Sequence, residues 1–239
     1  MSNPTAAMLV IGDEILSGRT HDSNTHHLAG VLTEAGIDLR EARIVGDDAP
    51  VIISAIQTLA GRYDHVFTSG GIGPTHDDIT ADAVAQAMGR SIDVRADARA
   101  ILEAHYEKAG IELNEARLRM ARIPDGATLI DNPVSAAPGF ILGNVHVMAG
   151  VPSIFKAMVA SVVPTLTGGA PVLSRSIDVH RGEGDIAAPL AELAARFPML
   201  SFGSYPFQRQ GAYGSNVVAR GQDEAALDAA LAEMQERLG

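Results

Sequence analysis

Three pairs of adjacent carboxylates, Asp13-Glu14, Asp47-Asp48 and Asp77-Asp78, each follow an apolar run. The third lies in a glycine-rich segment, Thr68-Ser69-Gly70-Gly71-Ile72-Gly73-Pro74-Thr75-His76-Asp77-Asp78-Ile79-Thr80. Glycines let a backbone approach an anion closely, and free N–H groups ahead of a helix favour negative charge. The segment therefore reads as a phosphate cradle, although a tight strand-to-helix turn capped by Asp78 or Thr80 explains its glycines equally well. It is not a Walker loop, since no Gly-Lys-Ser/Thr follows, and the dinucleotide fingerprint lacks its third glycine. Carboxylates beside a phosphate repel it unless a cation stands between them, and a hard divalent ion does so by sharing carboxylate and phosphate oxygens.

Taken singly, Asp48 reads as a helix cap and Asp13 as a turn residue. In a parallel sheet the carboxyl ends of all strands share one edge, so three acidic loops converge on one crevice, and the convergence favours a site. His21, His26 and His27 lack third and fourth partners at a zinc spacing. His76, inside the glycine segment, could donate to phosphate oxygens. Ser135-Ala136-Ala137-Pro138-Gly139 and Gly150-Val151-Pro152-Ser153 are further turns, and the second opens a helix whose N-terminus suits an anion.

The elements that must position these residues follow from hydrophobic pattern and punctuation. Ala6 to Ile11 reads as a buried strand, Ser23 caps a helix ended by Gly36, a strand spans 37–45, Pro50 begins a helix through Ala60, and Val66 to Ser69 is another buried strand. This β-α-β-α-β order marks a parallel sheet covered on both faces. Helices are expected at 81–88, 97–109 and 152–166, with short strands at 128–130, 140–142 and 145–148. Gly168-Gly169-Ala170-Pro171 reads as a linker. Beyond it the pattern gives strand (172–180), helix (184–196), strands (200–205 and 216–221) and helix (223–238). The expected domains are 1–168, an α/β unit, and 169–239, a small α+β unit.

Composition narrows the function. Across 239 residues, 18 lysines and arginines face 29 acidic residues, a net charge of −11 without basic clusters, so nucleic acid is not an expected partner. The absence of cysteine excludes disulfides, thiolate metal sites and cysteine nucleophiles. No apolar run reaches the ~18 residues of a membrane span, so a cytoplasmic protein without a membrane partner is expected.

Ile11-Gly12-Asp13-Glu14-Ile15-Leu16-Ser17-Gly18, Asp22-Ser23-Asn24, Val45-Gly46-Asp47-Asp48, Ser69 to Thr80, Ala137-Pro138-Gly139 and Gly150-Val151-Pro152 occur in order across residues 6–167. In this series the chain resembles the molybdopterin-binding domain family, in particular the N-terminal domains of competence/damage-inducible protein A and of eukaryotic FAD synthase. Asp185-Ile186-Ala187-Ala188-Pro189-Leu190-Ala191-Glu192 and Gly203-Ser204-Tyr205-Pro206 extend the resemblance to the FAD synthase type. Ala149 and Ile154 depart from the Pro and Glu of the competence/damage-inducible type, and Val134-Ser135-Ala136 replaces its Gly-Thr.

The resemblance implies a three-layer α/β/α domain with a mostly parallel sheet. It also implies catalytic and metal-binding roles for Asp47 and Asp78, with Mg²⁺, Mn²⁺ or Co²⁺ as the divalent cation. Phosphate is expected on Ser69, Gly70, Gly71, Gly73 and Thr75, and the remainder of the substrate on Asp13, Glu14, Asn24, Pro138, Gly139 and Gly150. The expected ligand is a nucleotide or pterin. Hydrolysis of a nucleotide pyrophosphate of the FAD or ADP-ribose class leads. Molybdopterin binding or adenylyl transfer in molybdenum cofactor biosynthesis is the alternative, and a non-catalytic nucleotide-binding module the third reading. A homodimer or homotrimer is expected, by family analogy and because a C-terminal unit of about 70 residues gains from packing on a neighbour.

Overall fold

Strand β1 (Thr5–Ile11) carries apolar side chains at every position from Ala6, and so can be buried on both faces. In a computed structural model describing residues 3–209 and 211–239, Ala7, Leu9 and Ile11 join one core and Ala6, Met8 and Val10 the other. Helices α1 (Asp13–Leu16) and α2 (Asn24–Glu34) follow, then β2 (Asp38–Val45), α3 (Ala49–Ala60), β3 (His65–Ser69) and α4 (Thr80–Ala87). The next elements are β4 (Ile92–Val94), α5 (Ala96–Ala109), α6 (Glu115–Leu118), β5 (Arg122–Pro124), β6 (Thr128–Ile130), β7 (Gly139–Leu142), β8 (Val145–Met148) and α7 (Pro152–Val162).

Six strands form one sheet in the order β2-β1-β3-β8-β7-β6. Strands β2, β1, β3 and β8 pair in parallel, with Val66 opposite Val145, while β7 and β6 add antiparallel at one edge. One face packs Ile52, Ile56 and Leu59 of α3, Val84 of α4 and Leu102 of α5; the other packs Leu28 and Leu32 of α2 with Phe155, Met158 and Val162 of α7. This is the expected three-layer arrangement with a mostly parallel sheet.

Several boundaries differ from the sequence reading for local reasons. Ser23 makes no side-chain cap to α2; Asp22 Oδ1 accepts from the N–H groups of Asn24 and Thr25 instead. Asp48 does cap α3, accepting from Val51 N–H at 3.1 Å. Helix α7 stops at Val162 and tightens into a 3-10 turn over Val163–Thr165, where Pro164 offers no N–H. The three-residue β4–β5 pair is too short for periodicity to reveal.

The chain divides after Gly169 into two compact units. The second comprises β9 (Leu173–Val179), α8 (Glu183–Arg196), β10 (Ser201–Arg209), β11 (Ala212–Gly221) and α9 (Glu224–Leu238). Its antiparallel sheet has the order β10-β11-β9 over a core of Val179, Ile186, Leu193, Val217, Leu227 and Met234. The hairpin strands are longer than the sequence suggests: Pro206 lies on edge strand β10, where a missing N–H is tolerated. Pro189 lies inside α8 and cannot donate to the carbonyl of Asp185; Arg181 Nη2 does so at 3.0 Å. No helix among the described residues is long and apolar enough to cross a membrane.

Candidate functional site

The parallel strands β1, β2, β3 and β8 end at one sheet edge, and their outgoing loops wall a cleft of about 530 Å³. Gly12 comes from the turn after β1 and Glu14 from the short helix α1 that follows it, Asp47 from the loop after β2, Gly70, Gly71, Gly73, Asp77 and Asp78 from that after β3, and Gly150 from that after β8. The crevice beyond the carboxyl ends of parallel strands is where open α/β sheets place ligands.

The glycine loop owes its course to two close approaches. Gly70 has φ +108°, and a Cβ there would overlap the carbonyl of Ile11 on β1. Gly71 has φ +69°, and its Cβ would overlap the Thr80 hydroxyl at the start of α4. Thr80 N–H closes the loop on Gly71 O at 2.9 Å. Neither Asp78 nor Thr80 caps α4: its N-cap is Ile79, without a side-chain bond, and Thr80 Oγ1 is buried without a partner. Asp78 instead accepts from the main-chain N–H and hydroxyl of Thr75. The capping explanation for this carboxylate therefore fails.

The cleft is acidic. Glu14, Asp47, Asp77 and Asp78 line it, and among the described residues no lysine or arginine does. Asp47 accepts from the Asp13 N–H at 3.0 Å. Burial pushes the Asp47 carboxyl above its ordinary pKa; the Asp13 bond opposes this, and the charges of Asp13, Glu14 and Asp77 add to it.

Other residues singled out from the sequence lie around the cleft in supporting or exposed positions. Buried Asn24 donates through Nδ2 to Ser69 Oγ and to Gly150 O, both at 2.8 Å, so it braces α2 against the ends of β3 and β8. Ser69 is buried beside it. Asp13 contributes its backbone N–H, and Thr75 contributes its two donors to Asp78. Pro138 lines a smaller cavity behind the glycine loop. Gly139 is buried inside β7, where a Cβ would overlap the Val147 carbonyl, a packing role. His76 is fully exposed.

Ser135 and Ala137, read from the sequence as part of a turn, wall the cleft together with Asn132, which sequence reasoning missed. Asn132, itself buried, donates to Ser135 Oγ at 2.7 Å and Ala137 O at 2.8 Å and accepts from two loop N–H groups. The signal for it was present, because an asparagine opening a turn bonds its own backbone. Arg119 was also missed, for no local pattern announces it.

Residues 7–168 match the family described as the probable molybdopterin binding domain. The chain belongs to this family. Residues 171–239 match the FAD synthase middle domain. The chain is similar to a protein of Pyrococcus abyssi, 33% identical over 97% of this chain and 96% of that one. It is 40% identical to a CinA-like protein of Citrifermentans bemidjiense over 68% of this chain. The match spans 40% of that relative and 64% of a Caldivirga maquilingensis protein, so this chain accounts for only part of either. Among solved structures, the protein CinA with unknown function from Thermoplasma acidophilum superposes with a TM-score of 0.62 at 33% identity, covering 67% of this chain and 98% of that one. The family and its fold agree with the resemblance read from the motifs.

Proposed function

We propose that this molybdopterin-binding-family protein is a divalent-metal-dependent hydrolase of a nucleotide pyrophosphate of the FAD or ADP-ribose class. The observation that carries the reading is the gathering of Glu14, Asp47, Asp77 and Asp78 with the Gly70–Gly73 backbone around one cleft. The cleft volume lies within the range of small-molecule sites.

Among the described residues, no three His, Asp or Glu side chains form a metal cage by themselves. The donor set is nevertheless all carboxylate and lacks a balancing lysine or arginine, which fits a hard cation held by one or two carboxylates together with phosphate oxygens. Asp47 and Asp78 would hold it, and the ion would supply charge neutralisation at the phosphates.

The chain's own groups account for the rest. The Gly71–Gly73 backbone binds one phosphate group. Water attacks that phosphorus in line, forming one P–O bond while the bond to the bridging oxygen breaks, so two phosphomonoesters leave. A carboxylate of the cleft that does not hold the ion, Glu14 or Asp77, takes the proton of the water.

The family description favours molybdopterin as a second ligand to test. FAD, ADP-ribose, NAD and molybdopterin, each with Mg²⁺, Mn²⁺ or Co²⁺ and with excess chelator, form the deciding panel. Metal-dependent release of phosphomonoesters is expected; binding of molybdopterin without turnover of any pyrophosphate would replace the hydrolase reading. The same sample should scatter light as a homodimer or homotrimer, well above the 25.0 kDa of one chain.

A further inference from the structure

Beside the glycine loop, Arg119 opens the 3-10 turn Arg119–Ala121 that follows α6, and its neighbour Met120 lines the cleft. Its Nη2 donates to the main-chain carbonyl of Asp78 at 3.3 Å. No ion pair among the described residues includes Arg119, whereas nearby Arg122 is paired with Asp82. Its Nε is buried and unpartnered. A half-buried guanidinium that spends a donor on a carbonyl, without a carboxylate to compensate its desolvation, is an expensive way to build a surface turn.

The loop it touches explains the arrangement. At its start the loop is held by Gly70 N–H on Met148 O at 3.1 Å; around Asp78 the other bonds are local, Thr75 to Asp78, three positions apart, and Thr80 to Gly71. Arg119 ties Asp78 to chain 41 positions away. Gly71, Gly73 and Asp78 line both the acidic cleft and a cavity of about 20 Å³ shared with Arg119. That cavity has room for about one water and none for a phosphate, so through it Arg119 meets the acidic cleft only by way of the loop; Arg119 also lines an open pocket of about 490 Å³ with Asp82, Glu115 and Arg122.

We propose that Arg119 is a positioning residue for Asp78: by holding the Asp78 carbonyl, it keeps the carboxylate directed into the cleft. The kinetic part of the test rests on the hydrolase reading above; the structural part does not. Arg119→Ala and Arg119→Lys are compared with the parent by amide hydrogen exchange and by Mg²⁺-dependent turnover of ADP-ribose. In Arg119→Ala, exchange at residues 71–80 should rise about tenfold with other segments unchanged. The kcat should fall about tenfold with KM within about twofold, as a misplaced catalytic group requires. Free guanidinium at low millimolar concentration, or the Lys variant, should restore part of the rate.

Parental exchange at 71–80 in folded Arg119→Ala overturns the proposal, as does a rate loss that neither guanidinium nor lysine repairs. If the parent turns over no ADP-ribose, the hydrolase reading falls while the exchange result still decides whether Arg119 positions the loop. Should Arg119→Ala not fold, Arg119→Met, which keeps the apolar stem, is judged by the same criteria.

Discussion

His65 Nδ1 and His146 Nε2 lie 3.3 Å apart where β3 and β8 pair, and the His146 ring stacks on Phe67 at 4.7 Å. Only one of the two rings can supply the proton between them, so a second charge has no place there. Burial, with a smaller push from His65, lowers the His146 pKa from 6.5 to about 4, and burial lowers that of His65 as well. The unfolded chain thus binds more protons in mild acid, and this contribution to stability is present above pH 6.5 and is lost as pH falls toward 4. Urea unfolding should show a loss of about 3 kcal/mol from His146 between roughly pH 7 and pH 4. A His146→Leu protein with the parental pH slope would refute this assignment.

Asp78→Asn keeps an oxygen that can accept from Thr75, and it removes a charge on an exposed loop. Stability should change by no more than about 0.5 kcal/mol. If Asp78 serves the metal-bridged phosphate, turnover of the best pyrophosphate substrate should drop ~10²-fold, about 2.7 kcal/mol of transition-state stabilisation. Initial rates on the folded variant decide the matter, and a parental rate leaves a binding module as the better reading.

Asn24→Ala removes the donor shared by Ser69 and Gly150 and leaves polar groups buried without it. A loss of about 2 kcal/mol in unfolding free energy is expected. Because the brace joins the ends of β3 and β8 at the cleft, calorimetry should also show weaker ADP-ribose binding by the folded variant. Unchanged stability and affinity would mean that neighbouring groups replace the brace.

Ala136 has φ +62°, the only non-glycine residue with positive φ among those described. The left-handed conformation costs a residue with a Cβ roughly 1–2 kcal/mol, part of which glycine returns as unfolded-chain entropy. Ala136→Gly should therefore stabilise the protein by about 0.5–1 kcal/mol, read as a higher urea midpoint at constant slope. A lower midpoint would show that the Ala136 methyl packs usefully.

The architecture was legible because β1 and β3 are apolar on both faces and the turns after them end in glycine and aspartate. Asp48 behaved as its position before Pro50 implied. Asp78 did not: its place ahead of a helix suggested a cap, yet Gly71 folds the loop so that Thr75 reaches the carboxylate first. Asn24 stood out in the Asp22-Ser23-Asn24 motif, but its burial as a brace depends on Ser69 and Gly150, which lie 45 and 126 positions away. Arg119 was invisible for the same reason, because one bond to a main-chain carbonyl 41 positions away leaves no trace in local composition.

The register that sets Val66 beside Val145 also dictates a timetable for assembly. Strands β1, β2 and β3 can associate once the first 69 residues are available, but β8 must return across about 80 intervening residues, and so long a loop closure is slow. The carbonyl of Gly150 that Asn24 requires arrives only with that last strand. A ribosome-bound chain therefore carries its acidic residues and glycine loop well before it owns a formed cavity, and ligand capture must wait until β8 has docked.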